Sequence, residues 1–340
     1  MRLLTLWALL LVCSTSFASE PLEASPEPLS VLDRSEFIAG FLPLYWDKDE
    51  GQLFADIDEI TEPLIYYNGL SHGVGSNDLG LDRGRLGDTY LVEFDRVGQK
   101  VFLTAINTKY VARSENLAER RAVEEAFAKS IIWGFEVVEA TDEHVFIDLT
   151  DFALSDATGL SEHLAARGEG SYAIDASRSA IYKAKTKSFP DNTEIDATLT
   201  YAGKSEGSIL RTVAPNPSAI TVHSHHSFVR LPDDGYTPLP FDPRAGYIDS
   251  GEASLVYDYA SPIDEPVKSA FARRHRLEKI DPTAAISEAV EPIVYWVDSG
   301  APEPVKTALI EGALWWNQAF EAAGYKDAFQ VKVLPAGVDS

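Results

Sequence analysis

Three histidines within four residues, in the run Thr221-Val-His-Ser-His-His-Ser-Phe228, form the densest group of reactive side chains in the sequence. On a β-strand, His223 and His225 project to one face and His226 to the other. Two imidazoles at that spacing can share a metal such as zinc, with a third ligand supplied from elsewhere. No carboxylate at a fixed spacing completes such a set, and hydrogen-bonded structural histidines are the competing reading. A second candidate is the loop Gly75-Ser-Asn-Asp-Leu-Gly-Leu-Asp-Arg-Gly84, where Asn77, Asp78 and Asp82 offer oxygen ligands for calcium. Its spacing is not that of an EF-hand, and neither is that of Asp47-Lys-Asp-Glu-Gly51; turn chemistry explains both more simply. Gly203-Lys-Ser-Glu-Gly207 has the letters of a nucleophile elbow, which requires a strand before it and a helix after it. The pattern here predicts a strand on both sides and puts Ser205 in a hairpin turn. No phosphate-binding P-loop and no dinucleotide fingerprint occurs.

The elements expected to position these residues are mostly strands. FLPLYWD and QLFADID flank a turn at Lys48–Gly51, and EPLIYYNGL reads as the next strand. DTYLVEFDRVGQKVFLTAIN alternates apolar and polar residues about a turn at Arg96–Gln99, the pattern of a half-buried antiparallel hairpin. Ala118–Lys129 predicts a short amphipathic helix. IIWGFEVVEA and HVFIDLT predict strands, Ser161–Arg167 a helical turn or two, and Ala197–Tyr201, Ser208–Val213 and Ala219–Leu231 further strands. Order is expected to begin near Phe37, after a Pro/Ser/Glu-rich leader.

Composition narrows the function classes. The 340 residues carry a net charge of −24, an acidity that disfavours nucleic acid and anionic membrane as partners. Met1–Ala18 has a basic start at Arg2, an apolar run and small residues at a cleavage position, so it reads as a secretory signal. The protein is therefore expected to be exported, periplasmic or extracellular, with no membrane attachment after cleavage. The single cysteine, Cys13, lies within that signal. Disulfides and thiolate metal sites are thereby excluded from the rest of the sequence.

The last fifty residues follow a different plan. EPIVYWVDS predicts a strand, PEPVKTALIEGALWWNQAFEAAG a long helix and FQVKVLP a second strand. Pro302 and Pro304 suit a helix start and Gly324 a stop. Val305, Leu309, Ala313, Trp316 and Phe320 fall at helical spacing, and Ile310 and Leu314 widen the stripe. A helix apolar over so much of its surface expects cover on more than one side, and its flanking strands suit a parallel crossover.

Several stretches together resemble the front half of large bacterial exported zinc-dependent metalloproteases of the metzincin type. These are GFLPLYWDKDEGQLFADI, GSNDLGLDRGRLGDTYLVEF, GSYAIDASRSAIY, HHSFVRLPDDGY, FDPRAGYIDS, RHRLEKIDP and the run from Glu288 to Pro335. The resemblance implies a parent zinc endopeptidase whose ligands sit on an H-E-x-x-H helix, with a further ligand and a methionine turn downstream. This sequence contains no H-E-x-x-H, and its only methionine is Met1. No catalytic residue carries over to it, and zinc is implied for the parent alone. If the N-terminal region imposes latency, a mature chain without cysteine must use another side chain. Asp242 and Asp249, around Pro243–Tyr247, are the candidates.

The resulting expectation is an α+β chain: a β-rich N-terminal domain followed by the incomplete strand-helix-strand start of an α/β metzincin-like catalytic domain. The boundaries are a signal at 1–18, a disordered leader at 19–36, a β-rich, pro-like domain at 37–260, a connector at 261–288 and the truncated start of a metallopeptidase domain at 289–340. The connector carries Arg273-Arg274-His275-Arg276. The implied partners are the missing catalytic domain and the parent's protein or peptide substrate. The rival reading is a self-contained secreted β-rich binding module without enzymatic activity.

Overall fold

Period-two alternation becomes antiparallel strand through most of the chain. The computed structural model describes residues 30–232, 235–246 and 255–335; the expected signal, the leader up to residue 29 and Asp249 lie outside the described residues. In order, the elements are helix α1 (Val31–Arg34) and strands β1 (Glu36–Ile38), β2 (Leu44–Asp47), β3 (Gln52–Asp56), β4 (Leu64–His72), β5 (Arg85–Val97), β6 (Lys100–Ala105) and β7 (Tyr110–Val111). Helix α2 (Leu117–Ala126), strands β8 (Ser130–Ala140) and β9 (Val145–Asp148), and helices α3 (Thr150–Ala153) and α4 (Leu160–Ala166) follow. Then come β10 (Gly170–Ile174), β11 (Ala180–Ile181), β12 (Lys187–Ser188), β13 (Asn192–Ser205), α5 (Ile209–Val213) and β14 (Ala219–Arg230). The chain continues through β15 (Leu255–Asp258), β16 (Lys268–Ala270), β17 (Ser287–Glu288), β18 (Ile293–Val297), α6 (Val305–Leu314), α7 (Trp316–Ala322), β19 (Tyr325–Lys326) and β20 (Phe329–Val333). Among the described residues strand exceeds helix by 40% to 18%, β-rich as expected. Among the described residues no helix is long and apolar enough to cross a membrane.

The chain folds into two compact units, neither of them one continuous stretch. The first comprises the described residues up to Ile60, Ser71–Arg83 and Phe135–His225. In it β1, β2, β3 and β9 pair antiparallel in sequence, and β9 pairs with the second half of β8. Strand β13 pairs with β10, β11 and β12. Val31, Tyr45, Phe54 and Phe146 form one buried cluster, in which Tyr45 meets Phe146 edge-on at 5.0 Å.

That cluster corrects the expected start of order. Residues 30–36 are structured, because Val31 is buried in the cluster and Ser30 Oγ donates to Glu139 at 2.8 Å, while Glu139 also accepts the Val31 amide. Ser208–Val213 is a second correction, since helix α5 stands where a strand was expected. The buried Glu169 carboxylate accepts the Ile209 and Leu210 amides at 3.2 and 3.0 Å. It thereby satisfies donors that a helix start leaves open.

The second unit comprises Thr61–Leu70, Gly84–Gly134 and the described residues from His226 onward. Strands β5 and β6 form the expected hairpin with Val97 opposite Lys100, and Gly98 takes the left-handed φ of 65° that the two-residue turn requires. Leu64, Tyr66, Leu70, Val92, Val101, Leu103 and Phe228 are buried here. Short strand β15 pairs antiparallel with β16 and parallel with β7.

At its C-terminal end β18 and β20 are parallel, in register from Ile293 opposite Phe329 to Val297 opposite Val333. The expected single long helix is instead two, α6 and α7, meeting at Trp315. The Trp315 amide bonds Gly312 O, a tightened turn, and the Asn317 side chain grips the backbone of Phe329 through Nδ2→O at 2.8 Å and N→Oδ1 at 3.1 Å. Anchoring α7 to β20 in this way redirects the helix. Gly324, with φ 92°, ends it where expected.

Phe146→Ala should cost about 3–5 kcal/mol in urea unfolding, as for other fully buried aromatics. Leu117→Ala, at an exposed site of α2, should change stability by less than about 0.5 kcal/mol.

Candidate functional site

The alternation of β14 decides which histidines meet. Ile220, Val222, Ser224, His226 and Phe228 are buried, whereas Thr221, His223 and His225 lie on the more open face. His226 belongs to the second unit, where Tyr66 Oη lies 2.9 Å from its Nδ1 and Phe228 packs at 5.2 Å from the Tyr66 ring. It is a structural histidine. His223 and His225 belong to the first unit and share one face, as the spacing predicts.

Each of them faces a carboxylate from β13, where Glu194 and Asp196 also share a face by the period of two. His223 Nδ1 lies 3.0 Å from Asp196 Oδ1, and His225 Nε2 lies 2.7 Å from Glu194 Oε2. His225 Nδ1 is 3.4 Å from Asp196 Oδ2. Asp196 is fully buried and also accepts from Ser71 Oγ. Its backbone is fixed as well: its amide donates to Thr186 Oγ1 at 3.2 Å, and its carbonyl accepts the Tyr182 amide at 2.7 Å. The Tyr182 ring stands edge-on to His223 at 4.6 Å, and the His72 ring lies 5.5 Å from it on the other contact.

Carboxylates on two sides determine the charge of His225. Burial disfavours the imidazolium and is the largest single effect, but hydrogen bonds and charges from Asp196 and Glu194 together outweigh it and push the pKa up to about 9. With both ring nitrogens facing carboxylates, His225 is a cation that neutralises part of the buried negative charge rather than a metal ligand. Among the described residues no three His, Cys, Asp or Glu side chains gather to hold a metal.

The other sequence candidates resolve as local structure. In the Gly75–Gly84 loop, Leu79 and Leu81 are fully buried plugs. The Leu79 carbonyl meets His163 Nε2 at 2.5 Å, and the Asn77 amide, oriented to donate, lies 3.0 Å from Asp82. Asp47 caps its turn through the Asp49 and Glu50 amides. Ser205 ends β13 opposite Gly170, with its Oγ buried and without a hydrogen-bond partner among the described residues. Helix α5, rather than the expected strand, follows it, yet the hydroxyl is not presented to solvent as an elbow nucleophile must be. Asp242 caps the turn Pro243–Ala245 and holds Arg244 at 2.6 Å; that guanidinium keeps its carboxyl below the usual range. In the connector, Arg274 stacks over Tyr236 at 4.9 Å and donates to Thr237 O.

Sequence reasoning missed Ser71, His72, Tyr182, Glu194 and Asp196. Glu194-Ile-Asp196 repeats the period of His223-Ser-His225 and was the available signal; nothing local links either to Ser71 or Tyr182.

The raised pKa of His225 sets a stability window. Its contribution, on the order of 3 kcal/mol, is full below about pH 6.5 and is lost as pH rises through about 9. Wild-type stability should therefore fall relative to His225→Gln across that interval, as read by unfolding free energies at matched pH values.

Neither a curated protein nor a solved structure matches the chain. A family model described as a domain of unknown function (DUF5117) matches residues 84–280, which include Glu194, Asp196, His223 and His225. That span is more than half of the sequence, and the chain belongs to the DUF5117 family.

Proposed function

We propose that this chain is the non-catalytic N-terminal portion of an exported zinc-dependent metalloendopeptidase of the metzincin type. Beyond the resemblance itself, the observation that carries this reading is the bare apolar surface of the β18-α6-α7-β20 unit. No residue of α6 or α7 is buried. Tyr295, Trp296, Leu309, Trp315 and Trp316 are all exposed, with Trp315 at 72%. Covering a large apolar side chain is worth about 1.5–3 kcal/mol, so leaving five in water forgoes much of what a parallel β-α-β layer needs. Such a layer supports the opening of a larger α/β domain whose remaining elements cover these side chains.

The zinc of that parent would be held by an H-E-x-x-H helix, and it would supply an activated water for peptide hydrolysis. This chain has no H-E-x-x-H, so its own residues do not supply that ligand set. Its own contribution would be folding, latency or substrate presentation. Latency through Asp242 would require Arg244 to release the carboxylate. Export rests on the signal-like Met1–Ala18. A self-contained secreted binding module is the competing function, with the same aromatics serving as a partner surface.

Expression of the whole reading frame separates the two. The product extending past Ser340 should contain H-E-x-x-H and cleave casein in a chelator-sensitive way, while residues 1–340 alone should not. A full product without that motif and without hydrolysis would support the binding module instead. In an active product, activity unchanged by Asp242→Ala would remove its latency role.

A further inference from the structure

We propose that His72 and His223 form a surface site for a borderline divalent transition metal such as zinc. The fully buried Asp196 lies 3.0 Å from Nδ1 of His223, so in the neutral ring Nδ1 is the donor to the carboxylate and Nε2 is the atom left to bind a metal. A carboxylate holding the far nitrogen of an imidazole is the arrangement that orients histidines in metal sites and raises their basicity. Asp196 is itself fixed by Thr186 and Ser71, and the edge of Tyr182 fixes the His223 ring plane.

Ser71 places its neighbour His72, at the end of β4, beside His223. Both residues lie in the first unit. The ring centroids are 5.5 Å apart with planes tilted by 45°. Two imidazoles sharing one tetrahedral ion through bonds of about 2.0–2.1 Å have centroids roughly 5 Å apart, close to the separation of this pair. A stacked pair would be parallel, and these are not. His72 is exposed and the His223 side chain is 23% exposed, so a hydrated cation can reach both. Imidazole nitrogen favours zinc, copper and nickel over magnesium or calcium. The protein's net charge of −24 raises the local concentration of cations. The site has two protein ligands and completes its coordination with water. His225 stays outside it, occupied by Glu194 and Asp196.

Isothermal titration of the chelator-stripped chain with zinc chloride at pH 7.5 tests this. The expected result is one zinc per chain, with binding weakened at least tenfold by His72→Ala and by His223→Ala and unchanged by His275→Ala in the connector. Because His72 is exposed, its replacement should leave the unfolding temperature unaltered, which separates ligand loss from misfolding. Absence of zinc binding by the wild-type chain, or wild-type affinity in His72→Ala, would overturn the proposal.

Discussion

A carboxylate removed from water must find its partners within the protein, and Asp196 is the place where that constraint governs the first unit. Its oxygens accept from Ser71 and face His223 and His225, while its own backbone is bonded to Thr186 and Tyr182. Through its side chain and backbone, this one residue of β13 therefore ties together the end of β4, the segment around β11 and strand β14. The cationic His225 reduces the cost of burying Asp196 and brings Glu194 into the same network. His223 stays partly open to solvent, with the Tyr182 ring edge-on against it.

Strand periodicity made part of this legible. His223 and His225 had to share a face, His226 had to leave it, and the hairpins around Gly51 and Gly98 follow from turn chemistry between alternating residues. The partners of the histidines were less visible. Glu194 and Asp196 carry the matching period, but only the pairing of β14 with β13 brings the two patterns together, and strand pairing is a long-range choice that local sequence does not encode. The same limit explains the two local corrections. Val31 and Ile209 take their structure from Glu139 and Glu169, buried or half-buried acids that lie 108 and 40 residues away in sequence.

The C-terminal unit shows the converse case. Its strand-helix-strand order, the parallel pairing and the stop at Gly324 were all readable, because propensity and terminal signals are local. The break at Trp315 was not, since it depends on Asn317 reaching the backbone of β20. The apolar breadth of the helix sequence predicts more cover than the described residues provide, and this exposed surface links the fold to the proposal of a larger enzyme.

The buried Asp196 carboxylate, rather than shape alone, holds the histidine site together. Urea unfolding of Asp196→Asn at pH 7 tests it most directly, because the substitution keeps the volume and removes the charge. A loss of about 3–5 kcal/mol is expected, the usual consequence of breaking a buried charged pair. A variant within about 0.5 kcal/mol of wild type would contradict it.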